Sequence, residues 1–170
     1  MDSLVRHTLA TLAYRLGKVL RGAPDEFGSY QASPSTRTPV QILAHIGDLM
    51  DWALSMAEGR TAWRDSQPLP WPQEVARFFQ SIQALDAYIA DHGLEKGLEK
   101  GLEKGPEKGP EKGIVEGLIQ GPIADALTHT GQLAMLRRMA GSPVKGESYF
   151  VAEIVVGRVG PDQAPPRREF

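Results

Sequence analysis

Apolar residues recur at helical spacing over four stretches of the chain, and no run alternates convincingly as a strand would. In the first stretch, residues 2 to 21, Val5, Leu9, Leu12, Leu16, Val19 and Leu20 share one face, with Asp2 or Ser3 available as N-cap. Thr38-Pro39 opens a second helix running to about Glu58, where Gly59 closes it. Its apolar arc holds Ile42, Leu43, Ile46, Leu49, Met50, Trp52, Ala53 and Ala57. The third runs from Pro72 to about Asp91, with Val75, Phe78, Phe79, Ile82, Leu85 and Ile89 on one stripe. A fourth is bounded by Gly121-Pro122, a start signal, and by Gly141 with Pro143, a stop signal. Residues 114 to 120 either prefix that helix or pack as a short apolar turn.

The intervening segments read differently. Residues 22 to 38 and 59 to 71 are loops rich in turn-forming residues. Residues 93 to 113 are a four-residue repeat, three copies of Gly-Leu-Glu-Lys and two of Gly-Pro-Glu-Lys. Glycine at every fourth position costs about 1 kcal/mol per copy in a helix and each internal proline about 3, so the repeat reads as a low-complexity connector. The alternative is that Leu94, Leu98 and Leu102 form a helical ridge that docks on the bundle or on a second subunit. Residues 142 to 170 form a C-terminal extension in which 149 to 156 is a short helix or a strand, and the last eight residues are expected to fray. The fold expected is all-α: a single domain over residues 1–170, an antiparallel four-helix bundle with an irregular tail.

Composition narrows the functions. The 170 residues are 41% hydrophobic and 24% charged, ordinary for a globular domain with a real core. A formal net charge of −2 and no local Lys/Arg cluster leave no electrostatic footprint for nucleic acid. No apolar run approaches the length of a membrane span. The N-terminal segment lacks a signal-peptide cleavage site, so a cytoplasmic protein is the expectation. With no cysteine, neither a disulfide nor a cysteinyl nucleophile is available, and any metal site must use His, Asp, Glu or water.

The chemistry concentrates on the second and fourth helices. Asp125 and His129 are four residues apart, and Asp125, His129, Gln132 and Leu136 fall on one narrow arc, while Arg137 and Arg138 point elsewhere. A carboxylate on so apolar a stripe needs a charge partner, donors or a metal ion. His45 sits at the edge of the second helix's apolar arc, with Gln41 and Asp48 on its polar side. By itself it reads as a packed boundary residue; His7 reads as a solvated surface residue and His92 as a cation near the last carbonyls of the third helix. If the two helices face each other across the core, His45 joins Asp125 and His129 in a set of two imidazoles and one carboxylate. Such a set suits Zn, Ni, Mn or Fe and leaves open positions for water or substrate. Gln132 is then a near neighbour, and Asp48 or Gln41 a partner to orient His45.

Two segments carry a resemblance. ALTHTGQLAMLRRMAG followed by SPV resembles the last-helix motif of the DinB/YfiT-like superfamily, and TPVQILAHIGDLMDW resembles its first-ligand helix, with His45 at the ligand position. The resemblance implies a four-helix bundle, usually dimeric, with a divalent metal in an open three-ligand site. It also implies a small-molecule substrate, some relatives being S-transferases or isomerases that use a low-molecular-weight thiol. The chain departs where the family's usual histidine four residues before His129 is Asp125. From the residues alone, metal-assisted hydrolysis fits as well as S-transfer, and a metal-free interaction module that has lost the reaction is the alternative to both.

Overall fold

A computed structural model describes residues 1–94 and 113–170. Helix α1 spans Asp2–Leu20, α2 Pro39–Ala57 and α3 Trp71–His92. A short α4, Ile114–Leu118, passes through a π turn at Ile119–Ile123 into α5, Ala124–Met139. Among the described residues the segments outside these helices form two short 3-10 turns and irregular connections, and no strand occurs. No described helix is long and apolar enough to cross a membrane.

The helix signals act as their chemistry dictates at α2. Thr38 Oγ1 accepts from the Gln41 N–H while Gln41 Oε1 accepts from the Thr38 N–H at 2.8 Å, a reciprocal cap ahead of Pro39. The fourth helix departs from expectation. Pro122 does not start it but lies inside it, and residues 114 to 120 are its prefix. A proline in a helix interior has no N–H to donate and crowds the carbonyl one turn back. The wider π turn accommodates both defects without ending the helix.

The long helices close a ring around one core: α1 packs on α3 and α5, and α2 packs on the same two. Val5, Leu9, Leu12 and Leu16 of α1 meet Ile42, Ile46 and Met50 of α2 and Phe78, Ile82 and Leu85 of α3 in a single buried cluster. Their directions are mixed, which corrects the expectation that all neighbours run antiparallel. Arg6 pairs with Asp86 near the far end of α3, and Gly17 lies by Phe79 near its start, so α1 and α3 are antiparallel. His45, Trp52 and Met56 of α2 face Asp125, Gly121 and Gly117 in turn, so α2 and the α4–α5 segment are antiparallel too. The C-terminal ends of α1 and α5 meet where Arg137 reaches Val19, so these two run the same way, and α2 and α3 must do likewise. The connection over residues 58–70 makes that possible by returning alongside α2. Its Ala62 N–H donates to Ser55 Oγ, its Ser66 N–H to Asp48, and its Leu69 N–H to Glu74. A connection that long can cross the height of a bundle, whereas a short one cannot.

Three further differences have local causes. Arg137 points inward, not away. It is buried over the end of α1, donates to Val19 O at 2.6 Å and to Ser142 O at 2.8 Å, and so satisfies helix-end carbonyls that would otherwise be orphaned. Burial holds its pKa below the ordinary arginine value. The C-terminus does not fray either. Glu147, buried, accepts from Tyr14 Oη at 2.6 Å and Lys18 Nζ at 2.8 Å, and the Phe170 N–H donates to Gly146 O. In the apolar 149–156 segment only Tyr149–Val151 is regular, as a 3-10 turn.

Leu94 corrects part of the connector reading. It is 1% exposed and belongs to the core, packed where α3 ends. Leu98 and Leu102, with the rest of residues 95–112, lie outside the described residues. The first leucine of the repeat is therefore structural. Replacing Leu94 with alanine is expected to lower unfolding free energy by about 2–5 kcal/mol, the usual cost of emptying a buried leucine site. A urea titration checks it, and a midpoint unchanged from wild type would return Leu94 to the spacer.

Candidate metal centre

The site forms where α2 and α5 pass. Asp125, in the first turn of α5 directly after the π turn, presents one carboxylate oxygen to each of two imidazoles. Its Oδ2 lies 3.2 Å from His45 Nε2 and its Oδ1 3.4 Å from His129 Nε2. The imidazole rings stand edge to face with centroids 4.9 Å apart. One ligand atom from each of the three residues lies within 4.8 Å of the other two. The two histidines are largely covered, with side chains 20% and 12% exposed, but Asp125 is 45% exposed. Asp125 therefore escapes most of the desolvation cost expected from its apolar stripe.

Metal geometry is compatible with these spacings. Ligand atoms about 2.0–2.2 Å from one ion, at tetrahedral to octahedral angles, stand roughly 2.8–3.6 Å from each other. The two carboxylate–imidazole distances, one to each oxygen of Asp125, fall in that window, and one ligand atom from each of the three residues lies within a wider 4.8 Å. Two imidazole nitrogens and a carboxylate are also a donor set that divalent transition metals accept, with coordination positions to spare.

The hydrogen inventory is more informative than the distances. His129 Nδ1 lies 2.8 Å from Gln132 Oε1, and with the amide in that orientation Nδ1 is the donor of the pair. A neutral His129 then turns a bare lone pair from Nε2 toward Asp125 Oδ1, which has no hydrogen to offer as a carboxylate. His45 raises no such conflict, because an Nε2–H there can donate to Oδ2. In that arrangement the 3.4 Å approach of Nε2 to Asp125 Oδ1 has no hydrogen between the two atoms, a place that a metal cation would fill; with the Gln132 amide turned over, Nε2–H donates to Oδ1 directly.

The remaining expected site residues take other partners. Gln41 is occupied in the cap of α2. Asp48 lies beside His45 in a recess of about 230 Å³, but its carboxylate is buried and bound by Arg77 and by the Ser66 N–H at 2.9 Å. Arg77 also pairs with Glu74, which is fully buried, and with Asp51. Burial opposes the charge on Arg77, and the hydrogen bond and charge of Asp48, with Asp51 and Glu74, outweigh it, so its pKa is raised. This cluster fastens the 58–70 connection to α2 and α3. Trp63, on that connection, meets the His45 ring edge to face at 5.6 Å, and Trp52 backs Trp63 at 5.8 Å. Sequence reasoning overlooked Trp63 and Arg37; a large aromatic in a polar loop and an arginine just before the Thr38 cap were the available signals.

Comparison with known proteins finds no matching family model, no matching curated protein and no matching solved structure. The site's chemistry therefore stands on its own geometry.

Arg77 supplies a test of how the site's wall is held. Arg77→Met leaves Asp48 and Glu74 buried with uncompensated charge and is expected to cost about 3–5 kcal/mol. The same variant should release the connection, read as a shift in tryptophan emission before global unfolding. A loss below about 1 kcal/mol with unchanged emission would mean that the connection is held by something else.

Proposed function

We propose that the chain is a divalent-metal-binding protein of the DinB/YfiT-like kind, with His45, Asp125 and His129 as ligands and a small molecule as substrate. The observation that carries this reading is the convergence of His45, Asp125 and His129 from two helices, one ligand atom of each lying within 4.8 Å of the other two. Gln132, holding Nδ1–H, fixes the tautomer that offers Nε2 as a ligand, the role that carboxylates and amides play behind metal-binding histidines. The ring of helices supports the DinB-like bundle, and its long return between α2 and α3 supplies one wall of the site. A dimer, implied by the resemblance, belongs to the same proposal.

A bound divalent ion supplies Lewis acidity that favours the ionised form of a thiol or of water near neutral pH. The chain's part is to orient and to exclude water: Trp63 and Trp52 wall the His45 side, and Asp125, half exposed, faces the opening. Since the chain has no cysteine, S-transfer needs a thiol cosubstrate, whereas hydrolysis needs only water. The metal-free interaction module is the second reading, favoured by the direct 3.2 Å approach of His45 to Asp125.

Metal content decides between them. Protein loaded with zinc and desalted is expected to keep one ion per chain, and His45→Ala and His129→Ala to keep almost none. Gln132→Met should retain the site with about 10- to 100-fold weaker affinity, the usual effect of removing such a partner. Equal metal in all four proteins, or none in any, would leave the module. For the reaction, small thiols with electrophilic acceptors and simple esters are assayed side by side. A turnover that chelation does not abolish would contradict both enzymatic forms.

A further inference from the structure

Beside the three ligands an open groove of about 730 Å³ runs between α5 and the chain entering α2, a volume in the range of small-molecule sites. Its walls are mostly apolar: Ile42 on one side, Met135 and Leu136 on the other, with His129 and Gln132 at the end nearest the candidate centre. Arg37 is the one Lys, Arg, Asp or Glu side chain that lines it. Arg37 also lines the smaller recess that holds His45, so it borders both cavities. It is exposed and makes no hydrogen bond or ion pair with any described residue.

Gly131 adds an independent observation. It lies in the middle of α5, where glycine is destabilising relative to alanine. A Cβ built there would meet nothing within 4 Å, so no neighbour requires the glycine. What its bare backbone does is widen the groove it lines. Met135, 55% exposed across from Ile42, is a flexible apolar surface that can settle on ligands of varied shape.

We infer that this groove holds a small amphipathic carboxylate, with its apolar body between Ile42 and Met135 and its carboxylate on Arg37. The assignment names the substrate class for the metal centre and rests on that reading for its catalytic meaning. A single planar guanidinium matches a carboxylate with two parallel hydrogen bonds. A phosphate dianion would call for more cationic groups than the groove contains. An uncharged apolar ligand would leave Arg37 without a role.

Calorimetric titration of the full chain with octanoate, octanol and octylamine tests the assignment, using wild type, Arg37→Gln and Gly131→Leu. Octanoate should bind wild type at least tenfold more tightly than octanol or octylamine. Arg37→Gln should erase that preference, and Gly131→Leu should abolish binding of the whole series while its thermal melt stays cooperative. Gly131→Ala, which occupies less space, guards against a folding defect in the leucine variant and should weaken binding without abolishing it. The titration is repeated after chelation, to separate a carboxylate on Arg37 from one on a metal ion. Octanoate binding that disappears on chelation yet survives Arg37→Gln would overturn the assignment, as would equal affinity for octanoate and octanol, or no binding. Octanoate binding that persists in protein found to hold no metal would remove the metal reading and leave the groove assignment standing.

Discussion

One guanidinium, Arg77, reaches three carboxylates, Asp48, Asp51 and Glu74, two of them buried. Much of the architecture depends on it. Asp48 and Glu74 are spread across α2 and α3, and each also accepts from a backbone N–H of the returning connection. Charge neutralisation and chain direction are thus solved together. Without the cation, the carboxylates could not remain inside. Without the carboxylates, the connection would keep its hold on α2 at Ser55 and through Trp63 but lose its two backbone anchors nearest the start of α3. The wall of the candidate centre follows, because Trp63 rides on the same connection.

Most helix boundaries were legible because they depend on local chemistry. Thr38, Pro39 and Gln41 form the cap their spacing suggests, and the apolar stripes of α1, α2 and α3 are the buried faces. The meeting of His45 with Asp125 and His129 was legible for a similar reason: an i,i+4 pair and a third residue on a facing helix need only the right packing partner. Pro122 was misread as a start signal because local preference says what a proline resists, not what neighbouring helices can compel. With Trp52 packed over Gly121 and Met56 over Gly117, the segment is held helical, and the π turn absorbs the defect.

What remained hidden was the destination of long polar side chains. Arg137 lies one position past Leu136 on a helix whose arginines looked solvent-bound, yet the open carbonyls at the end of α1 draw it inward. Asp48 was assigned to His45 by nearness along one helix. The competing partner, Arg77, is 29 residues away and reveals itself only once α2 and α3 lie parallel. Glu147 similarly finds Tyr14 across 133 residues. Periodicity assigns a residue to a face; it does not say which buried charge or orphan carbonyl waits opposite that face.

The aspartate at position 125 changes the electrostatics of the site as well as its ligand list. With two neutral imidazoles and one carboxylate, a divalent ion leaves the centre with a net charge of +1, where three imidazoles would leave +2. With an ion bound, the weaker residual field would make the position of Arg37 consequential, because its guanidinium borders both the groove and the His45 recess. A neutral ligand gains little from either cation, and a cationic one is repelled by both. An anion can be held by Arg37 at one end of the groove while its apolar body runs along the wall beside His129. In the proposed metal centre Asp125 would temper the Lewis acidity of a bound ion, and recognition of a ligand's charge would fall to a residue outside the ligand set.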